Sequence, residues 1–231
     1  MARPPAARTD CLQPWRRRMP VPRPCAAFTL IELLVVIAIL GVLLSLLVPA
    51  VGRARTLARV VKAHAELRGL TIALEHYRHE NDQAIPPTRF SCSSRTAYDL
   101  PVELLAYLPG GRKNNVEIVE MKDPFTPKAC YKYRAVGPAI LNESTILENA
   151  ATLWVPEGFP HARTSAGRYY SDPQTSPVRY AVWSMGPDPR APKFDVPGRL
   201  PLPPQYWLEG AAEAGVIVHY EDAHRQVHQS P

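Results

Sequence analysis

The residue of greatest chemical interest is Glu32, a carboxylic acid within an otherwise uncharged apolar run. Residues 28–48 number 21, of which 16 are Leu, Ile, Val or Phe, and Glu32 is the only charged one. A carboxylate in lipid is costly and normally pairs with a cation. No Lys or Arg lies three or four residues from Glu32, so we expect its partner to come from elsewhere. A cut before Phe28 would create an α-amino group within about one helical turn, and this amine could pair with the Glu32 of a neighbouring copy.

Catalytic patterns are absent from the sequence. It contains no HExxH motif, no Gly-rich phosphate loop and no nucleophile placed beside a base. Ser91, Ser93 and Ser94 form a polar cluster with nothing nearby to activate them. We therefore predict that the protein is not an enzyme.

The histidines offer one candidate metal site. His224 and His228 are four residues apart, a helical spacing that can chelate a metal, although a frayed, solvated terminus explains the pair equally well. His64, His76 and His79 lie within a predicted helix, where we expect them at the surface.

The apolar run that contains Glu32 has the length of a membrane span. A helix of 21 residues is about 30 Å long, which matches the hydrocarbon thickness of a bilayer. Each of its large apolar residues favours insertion by roughly 0.3–0.6 kcal/mol, and together they outweigh the roughly 2.5–3.5 kcal/mol that one charged residue costs. Two other interpretations stay open: a secretory signal peptide cut after Ala50, and a single-pass anchor that never polymerises.

The positive charge is concentrated before this run. The net charge is +6, but residues 1–27 contain six Arg and one acid, so the remainder of the chain carries only +1. A nucleic-acid interface needs basic residues clustered on a folded face, and we therefore predict no nucleic-acid binding. Near the apolar run the Lys and Arg on the two sides balance, and the positive-inside rule gives no orientation.

The residues around the apolar run resemble a known processing motif. The sequence Ala27-Phe28-Thr29-Leu30-Ile31-Glu32-Leu33-Leu34 resembles the cleavage and N-methylation motif of type IV prepilins and type II secretion pseudopilins. The resemblance implies that a prepilin peptidase cuts between Ala27 and Phe28 and methylates the Phe28 amine, and that Glu32 guides subunit docking. It also implies that Pro49 bends the helix. The family usually has Gly where this chain has Ala27. Met19 offers a second possible start of a shorter leader.

Beyond Pro49 the sequence predicts that the helix continues to about residue 81. Apolar residues recur at helical spacing and predict a stripe buried against a domain; they are Leu57, Val60, Ala63, Leu67, Leu70, Leu74 and Tyr77. Charged residues fall mostly off this stripe; among them are Arg55, Arg59, Lys62, Glu66 and Arg78. Ile85-Pro86-Pro87 cannot continue a helix, and residues 98–108 could form a second short one. Strands are predicted at 130–136, 178–185 and 214–220, with a weaker candidate at 151–155.

The predicted fold class is therefore α+β. It consists of one long N-terminal helix packed on a small antiparallel sheet of about three strands with Pro-rich loops. The corresponding divisions are a cleaved basic leader (1–27), a transmembrane half-helix (28–49), an amphipathic half-helix (50–82) and an extracytoplasmic pilin-like domain (83–231). The segments DPFTPKACYKY and RYAVWSMGPDP resemble the Asp-Pro-aromatic hairpin and the Ser-Leu-Gly strand of major pseudopilins, whereas 137–177 and 196–231 match nothing in that family.

The resemblance also suggests a calcium site in the loop after that strand. Asp188 matches the motif acid and Asp195 lies within reach of it. Pro189 replaces the usual Gly and few further acids follow, so a loop without an ion is the alternative. If the domain is exported, Cys92 and Cys130 could form a disulfide, or they could be two unrelated thiols.

The resemblance to pseudopilins implies a structural role at the bacterial inner membrane. We expect a single-pass protein whose C-terminal domain lies in the periplasm and which polymerises with itself and other pseudopilins. Its further partners would be the prepilin peptidase and the inner-membrane assembly platform of a type II secretion system. The alternatives are a type IV pilin or minor pilin (adhesion, motility or DNA uptake) and a monomeric membrane-tethered binding domain.

Overall fold

The computed structural model describes residues 29–90, 100–108, 121–127, 129–142, 144–159, 167–188, 199–210 and 214–231. The chain divides into two compact units, Met1–Leu47 and Val48–Pro231. The described part of the first unit is helical, and the second contains the rest of that helix and all the described strands.

Helix α1 (Leu30–Glu80) is the longest element and continues through Pro49. Its C-terminus is an Asn81-Asp82-Gln83 turn, in which Asp82 and Gln83 have positive φ angles and the Gln83 amide donates to the Arg78 carbonyl oxygen at 2.9 Å. The Asn81 side-chain amide caps the Tyr77 carbonyl oxygen at 2.8 Å. The helix thus ends before the predicted Ile85-Pro86-Pro87 stop, because this turn already satisfies its last carbonyl groups.

The strands of the second unit form three sheets. A four-stranded antiparallel sheet has the order β2-β7-β8-β9, a three-stranded sheet has the order β1-β3-β4 with β1 and β3 parallel, and β5 pairs with β6. The strands are β1 (Thr88–Phe90), β2 (Lys132–Ala135), β3 (Gly137–Leu141), β4 (Thr145–Ala151), β5 (Leu153–Val155), β6 (Arg168–Tyr170), β7 (Val178–Ser184), β8 (Ile217–Asp222) and β9 (Val227–Gln229). Short 3₁₀ turns occupy Val102–Tyr107 and Pro204–Tyr206.

Helix α1 packs on one face of the four-stranded sheet. The helix contributes every third or fourth residue to this core, as the 3.6-residue period requires. Its fully buried members include Ala63, Leu67, Leu70 and Leu74 from the helix and Tyr133, Tyr180, Val182 and Ile217 from the sheet. The α+β class and the helix-on-sheet packing predicted from the sequence are confirmed.

The opposite face of the same sheet is covered by β5, β6 and the loop after residue 199. Along β7, Tyr180 and Val182 face the helix while Ala181 and Trp183 enter this second core. Strand β7 is therefore buried on both faces, which explains its nearly continuous apolar sequence.

Several details differ from the sequence prediction. The sheet against the helix has four strands rather than about three, and the described residues outside it include the unpredicted β1, β3, β4 and β6. Leu57, expected in the buried stripe, is 62% exposed, since packing on the sheet begins only at Val60. His76 and His79 are exposed as expected, but His64 is half-buried, because it contacts His219 of β8.

A buried ion pair also joins α1 to β8. Arg78 was expected off the stripe, yet it is 1% exposed, and its Nη1 lies 2.8 Å from Glu221 Oε2. Burial raises the pKa of Glu221, and the charge of Arg78 opposes that effect. Arg78 also contacts Glu75 at 3.2 Å, where the carboxylate is half exposed.

We predict that Arg78→Met costs about 3 kcal/mol of the free energy of unfolding, because the buried Glu221 carboxylate loses its hydrogen-bonded cation and keeps only Arg179, whose Nε lies 4.0 Å away. The double variant Arg78→Met/Glu221→Met should recover most of this loss, and the control Glu75→Ala should cost less than about 1 kcal/mol. Chemical denaturation of the full chain in detergent, followed by tryptophan fluorescence, measures all three. A double variant as unstable as the single one would contradict this account of the pair.

The pH dependence of the Arg78→Met variant follows from the same pair. Without the guanidinium, the pKa of Glu221 should rise further above its ordinary value of 4.5. A carboxyl whose pKa is raised on folding contributes stability at low pH that is lost as the pH rises. The deficit of the variant relative to the wild type should therefore be smallest near pH 4.5 and grow toward neutral pH in the same denaturation experiment.

Candidate assembly helix

The N-terminus of α1 is closed by a reciprocal pair of side chains. The Thr29 backbone amide and hydroxyl both donate to Glu32 Oε2 at 2.8 Å, and the Glu32 amide donates to Thr29 Oγ1 at 3.2 Å. This is a capping box, in which an N-cap Thr and a Glu three residues later satisfy otherwise unpaired amides of the first turn. Thr29, three residues before Glu32, thus supplies two donors to the carboxylate, a partner that the absence of Lys and Arg at this spacing did not reveal.

The capping box leaves part of the carboxylate open. Both donors reach Oε2, and within the described part of the chain Oε1 of Glu32 accepts no hydrogen bond. One oxygen of Glu32 therefore serves its own helix, while the other remains available to a donor from another molecule.

Between this cap and Arg53 the surface of α1 is uncharged and, apart from Ser45, apolar all the way round. Every residue from Thr29 to Arg59 is exposed, including large side chains such as Leu30, Ile31, Leu46 and Val48, each at least 69% exposed. Among the described residues α1 alone is long and apolar enough to cross a membrane. Signal sequences and core helices of soluble proteins can meet that criterion too, but none of the apolar window in α1 is buried, which excludes a core helix.

Polar groups within the apolar part of the helix bond internally. The Ser45 hydroxyl donates to the Val42 carbonyl oxygen at 2.7 Å, so it needs no partner from lipid or from another chain. Pro49 lies within α1, where it removes one backbone donor. These features suit a helix surrounded by apolar material.

Two motifs that carry the resemblance to pseudopilins meet in the second unit. Asp123 is buried; its Oδ1 accepts the Phe125 amide at 2.9 Å, and its Oδ2 accepts the Ser184 hydroxyl at 2.8 Å and the Met185 amide at 3.1 Å. Ser184 Oγ in turn accepts the Gly186 amide at 3.1 Å. The Asp-Pro-Phe turn and the Ser-Met-Gly strand end are thus joined by one carboxylate.

Gly186 is required by this arrangement for steric reasons. Its φ angle is +70°, and a Cβ there would collide with the Gly215 carbonyl oxygen. The backbone at this point has room only for hydrogen, which explains the glycine after the strand.

The remaining predicted sites are only partly described. Asp188 is exposed, while Asp195, its proposed calcium partner, lies outside the described residues, as do Ala27, Phe28 and Cys92. Cys130 is half-buried. Its backbone pairs with that of Lys122 in an isolated antiparallel β-bridge. Calcium binding and the disulfide therefore stay predictions.

The helical metal site proposed for His224 and His228 is wrong, and so is the frayed terminus offered as its alternative. The tail is a β-hairpin: His224 lies in the turn between β8 and β9, and His228 belongs to β9. The His228 Nε2 atom lies 2.9 Å from Asp222 Oδ2, and its ring stacks on Tyr220. Strand pairing, which the single sequence did not reveal, determines this geometry.

Comparison with protein families adds one match. A model described as the prokaryotic N-terminal methylation motif matches residues 22–48, a segment that includes Ala27, Phe28 and Glu32. No match was found among curated proteins or among solved structures.

We predict that Asp123→Ala costs about 3 kcal/mol of the free energy of unfolding, because three hydrogen bonds to a buried charge are lost. Exposed Glu148 provides the matched control, for which alanine should change stability by less than about 0.5 kcal/mol. Denaturation of the full chain in detergent measures both, and equal effects of the two substitutions would show that Asp123 does not join the two motifs energetically.

Proposed function

We propose that this chain, whose methylation motif indicates a type IV pilin-like protein, is a structural subunit of the periplasmic pseudopilus of a type II secretion system. A prepilin peptidase cleaves it before Phe28 and methylates the new amine. The inner-membrane assembly platform then moves the apolar helix from lipid into a filament that contains further copies and other pseudopilins. The C-terminal domain stays on the periplasmic side throughout.

The observation that carries the proposal is the exposed apolar surface of α1 with one acid at its head. Residues 33–52 are exposed on every side and carry no charge, and apolar surface of this extent is stable only in lipid or against other apolar helices. Helices of neighbouring copies supply such a surface, and the same segment can therefore reside first in the membrane and afterwards in a filament.

Glu32 gives this packing a defined register. Its Oε2 atom is held by Thr29 of the same chain, and its Oε1 atom would receive the Phe28 amine of a neighbour. The Coulombic attraction between an amine and a carboxylate is stronger between apolar helices than in water, and a carboxylate buried there without a cation is costly. Cleavage before Phe28 creates the cation, so subunits that keep their leader should not dock.

Two alternatives make different use of the same segment. A type IV pilin or minor pilin would share the cleavage, the helix and Glu32 but form a surface filament for adhesion, motility or DNA uptake. A monomeric tether would keep α1 in lipid and have no need of Glu32. The segments around Asp123 and Ser184 resemble major pseudopilins, which favours the secretion role over the first alternative.

We predict that Glu32→Gln abolishes filament assembly, whereas Thr29→Val leaves it largely intact. Glutamine keeps an oxygen that can accept the Thr29 bonds but removes the charge, and valine removes the Thr29 hydroxyl at nearly constant volume while keeping the charge. The loss of the Thr29 cap should cost only about 0.5–2 kcal/mol at the helix end. Chemical cross-linking in spheroplasts, followed by quantification of the cross-linked oligomers of this chain, provides the measurement.

Both variants must insert into the membrane and lose the leader as the wild type does. Resistance to alkaline extraction establishes insertion, and gel mobility establishes cleavage. Normal filaments from processed Glu32→Gln protein would support a tether. Loss of filaments from both variants would mean that assembly requires the Thr29 hydroxyl as well as the charge of Glu32, and would contradict the prediction for Thr29→Val.

The secretion role and the pilin role differ in what a deletion of the gene removes. A pseudopilin deletion should leave exported enzymes trapped in the periplasm, and the wild-type chain but not Glu32→Gln should restore their release. A deletion that leaves secretion unchanged but removes surface fibres would replace the pseudopilin proposal with the pilin alternative.

A further inference from the structure

A pair of histidines joins α1 to β8 inside the second unit. The His64 Nδ1 atom lies 3.2 Å from the His219 Nε2 atom, although 155 residues separate the two in sequence. His219 is 2% exposed and His64 is half-buried. The inward side of β8 carries Ile217, His219 and Glu221 in alternation, which places His219 toward the helix between the apolar core and the ion pair with Arg78.

The two rings hold their facing nitrogens at a separation that suits a shared cation. With Zn–N bonds of about 2.0–2.1 Å and tetrahedral angles, two imidazole nitrogens on one zinc ion lie about 3.3–3.4 Å apart. The observed 3.2 Å is close to this value. In the metal-free pair one ring N–H must donate to the other nitrogen, and replacement of that proton by a metal ion turns both nitrogens into ligands.

The two rings approach each other through their nitrogen atoms. Their centroids lie 5.5 Å apart and their planes are inclined by 43°, so the rings are tilted rather than stacked. His219 is 2% exposed, whereas His64 is half-buried and forms the solvent side of the pair.

We propose that His64 and His219 form a binding site for a divalent transition-metal ion of the class that prefers imidazole, such as Zn²⁺. No group of three or more His, Cys, Asp or Glu residues that could hold a metal occurs in the described ranges, so the two rings are the protein ligands and water completes the coordination. The half-exposed His64 gives the ion access from solvent. Bound there, the ion links the helix to the sheet.

Arg68 is the charge that opposes this site. Its guanidinium lowers the pKa of His219 electrostatically, and it should repel a bound cation for the same reason. The side chain of Arg68 is exposed, so it can be replaced without disturbing the core. This residue allows a test that does not depend on removal of a buried group.

The test is titration of Zn²⁺ into the full, untagged chain in detergent after chelator treatment, followed by calorimetry. We expect saturable binding of one zinc ion per chain. His64→Gln should weaken the affinity by at least about tenfold, as expected for loss of a ligand, and Arg68→Gln should strengthen it severalfold. The controls His76→Gln, exposed on the same helix, and His224→Gln/His228→Gln should bind as the wild type does.

Absence of saturable binding by the wild type would overturn the proposal, and so would an unchanged affinity of folded His64→Gln protein. Circular dichroism establishes that this variant is folded; if it is not, Arg68→Gln decides, because unchanged affinity there would exclude a site beside His219. Loss of binding in the His224→Gln/His228→Gln protein alone would place the metal at the hairpin and contradict the proposal. None of these outcomes depends on filament assembly.

Discussion

One charged side chain in an otherwise uncharged apolar surface governs the behaviour of the N-terminal helix. The residues from 33 to 52 are exposed and uncharged, so their environment must be lipid or other apolar helices. Glu32 favours packing against other helices over lipid. In a medium of low dielectric constant the Coulombic attraction between a carboxylate and a nearby cation is strong, and a neighbouring helix can hold such a cation in place. The capping bonds from Thr29 orient this carboxylate before any partner arrives.

In the second unit, apolar packing and two buried polar contacts hold the helix on the sheet. Apolar residues at helical spacing pack on the four-stranded sheet, and two polar contacts between α1 and β8 lie at the same seam: His64 with His219, and Arg78 with Glu221. Buried polar contacts of this kind add little net stability, but a mismatched partner is costly. The two contacts therefore favour the observed alignment of α1 along β8 over alignments that are shifted by one or more residues.

The sequence predicted the features that depend on local periodicity. The long helix, the strands β2, β7 and β8, and the stripe from Val60 to Leu74 follow from spacing alone. It did not predict β1, β3, β4, β6 or β9, because these segments lack a clear alternation of apolar and polar residues and their strand character depends on the partners they pair with. It also placed Arg78 and His64 at the surface, because a single sequence does not show that Glu221 and His219 lie opposite them. Among the site residues, Glu32 was identified from its charge, whereas its bonds to Thr29 were missed.

The central claim is that proteolysis before Phe28 provides the cation for Glu32. Mass spectrometry of the mature protein, isolated from a host that has a prepilin peptidase and from one that lacks it, tests this claim directly. The account predicts a chain that begins at Phe28 and carries one added methyl group in the first host, and an uncut leader in the second. A mature terminus at Val51, or a leader that persists in both hosts, would contradict it.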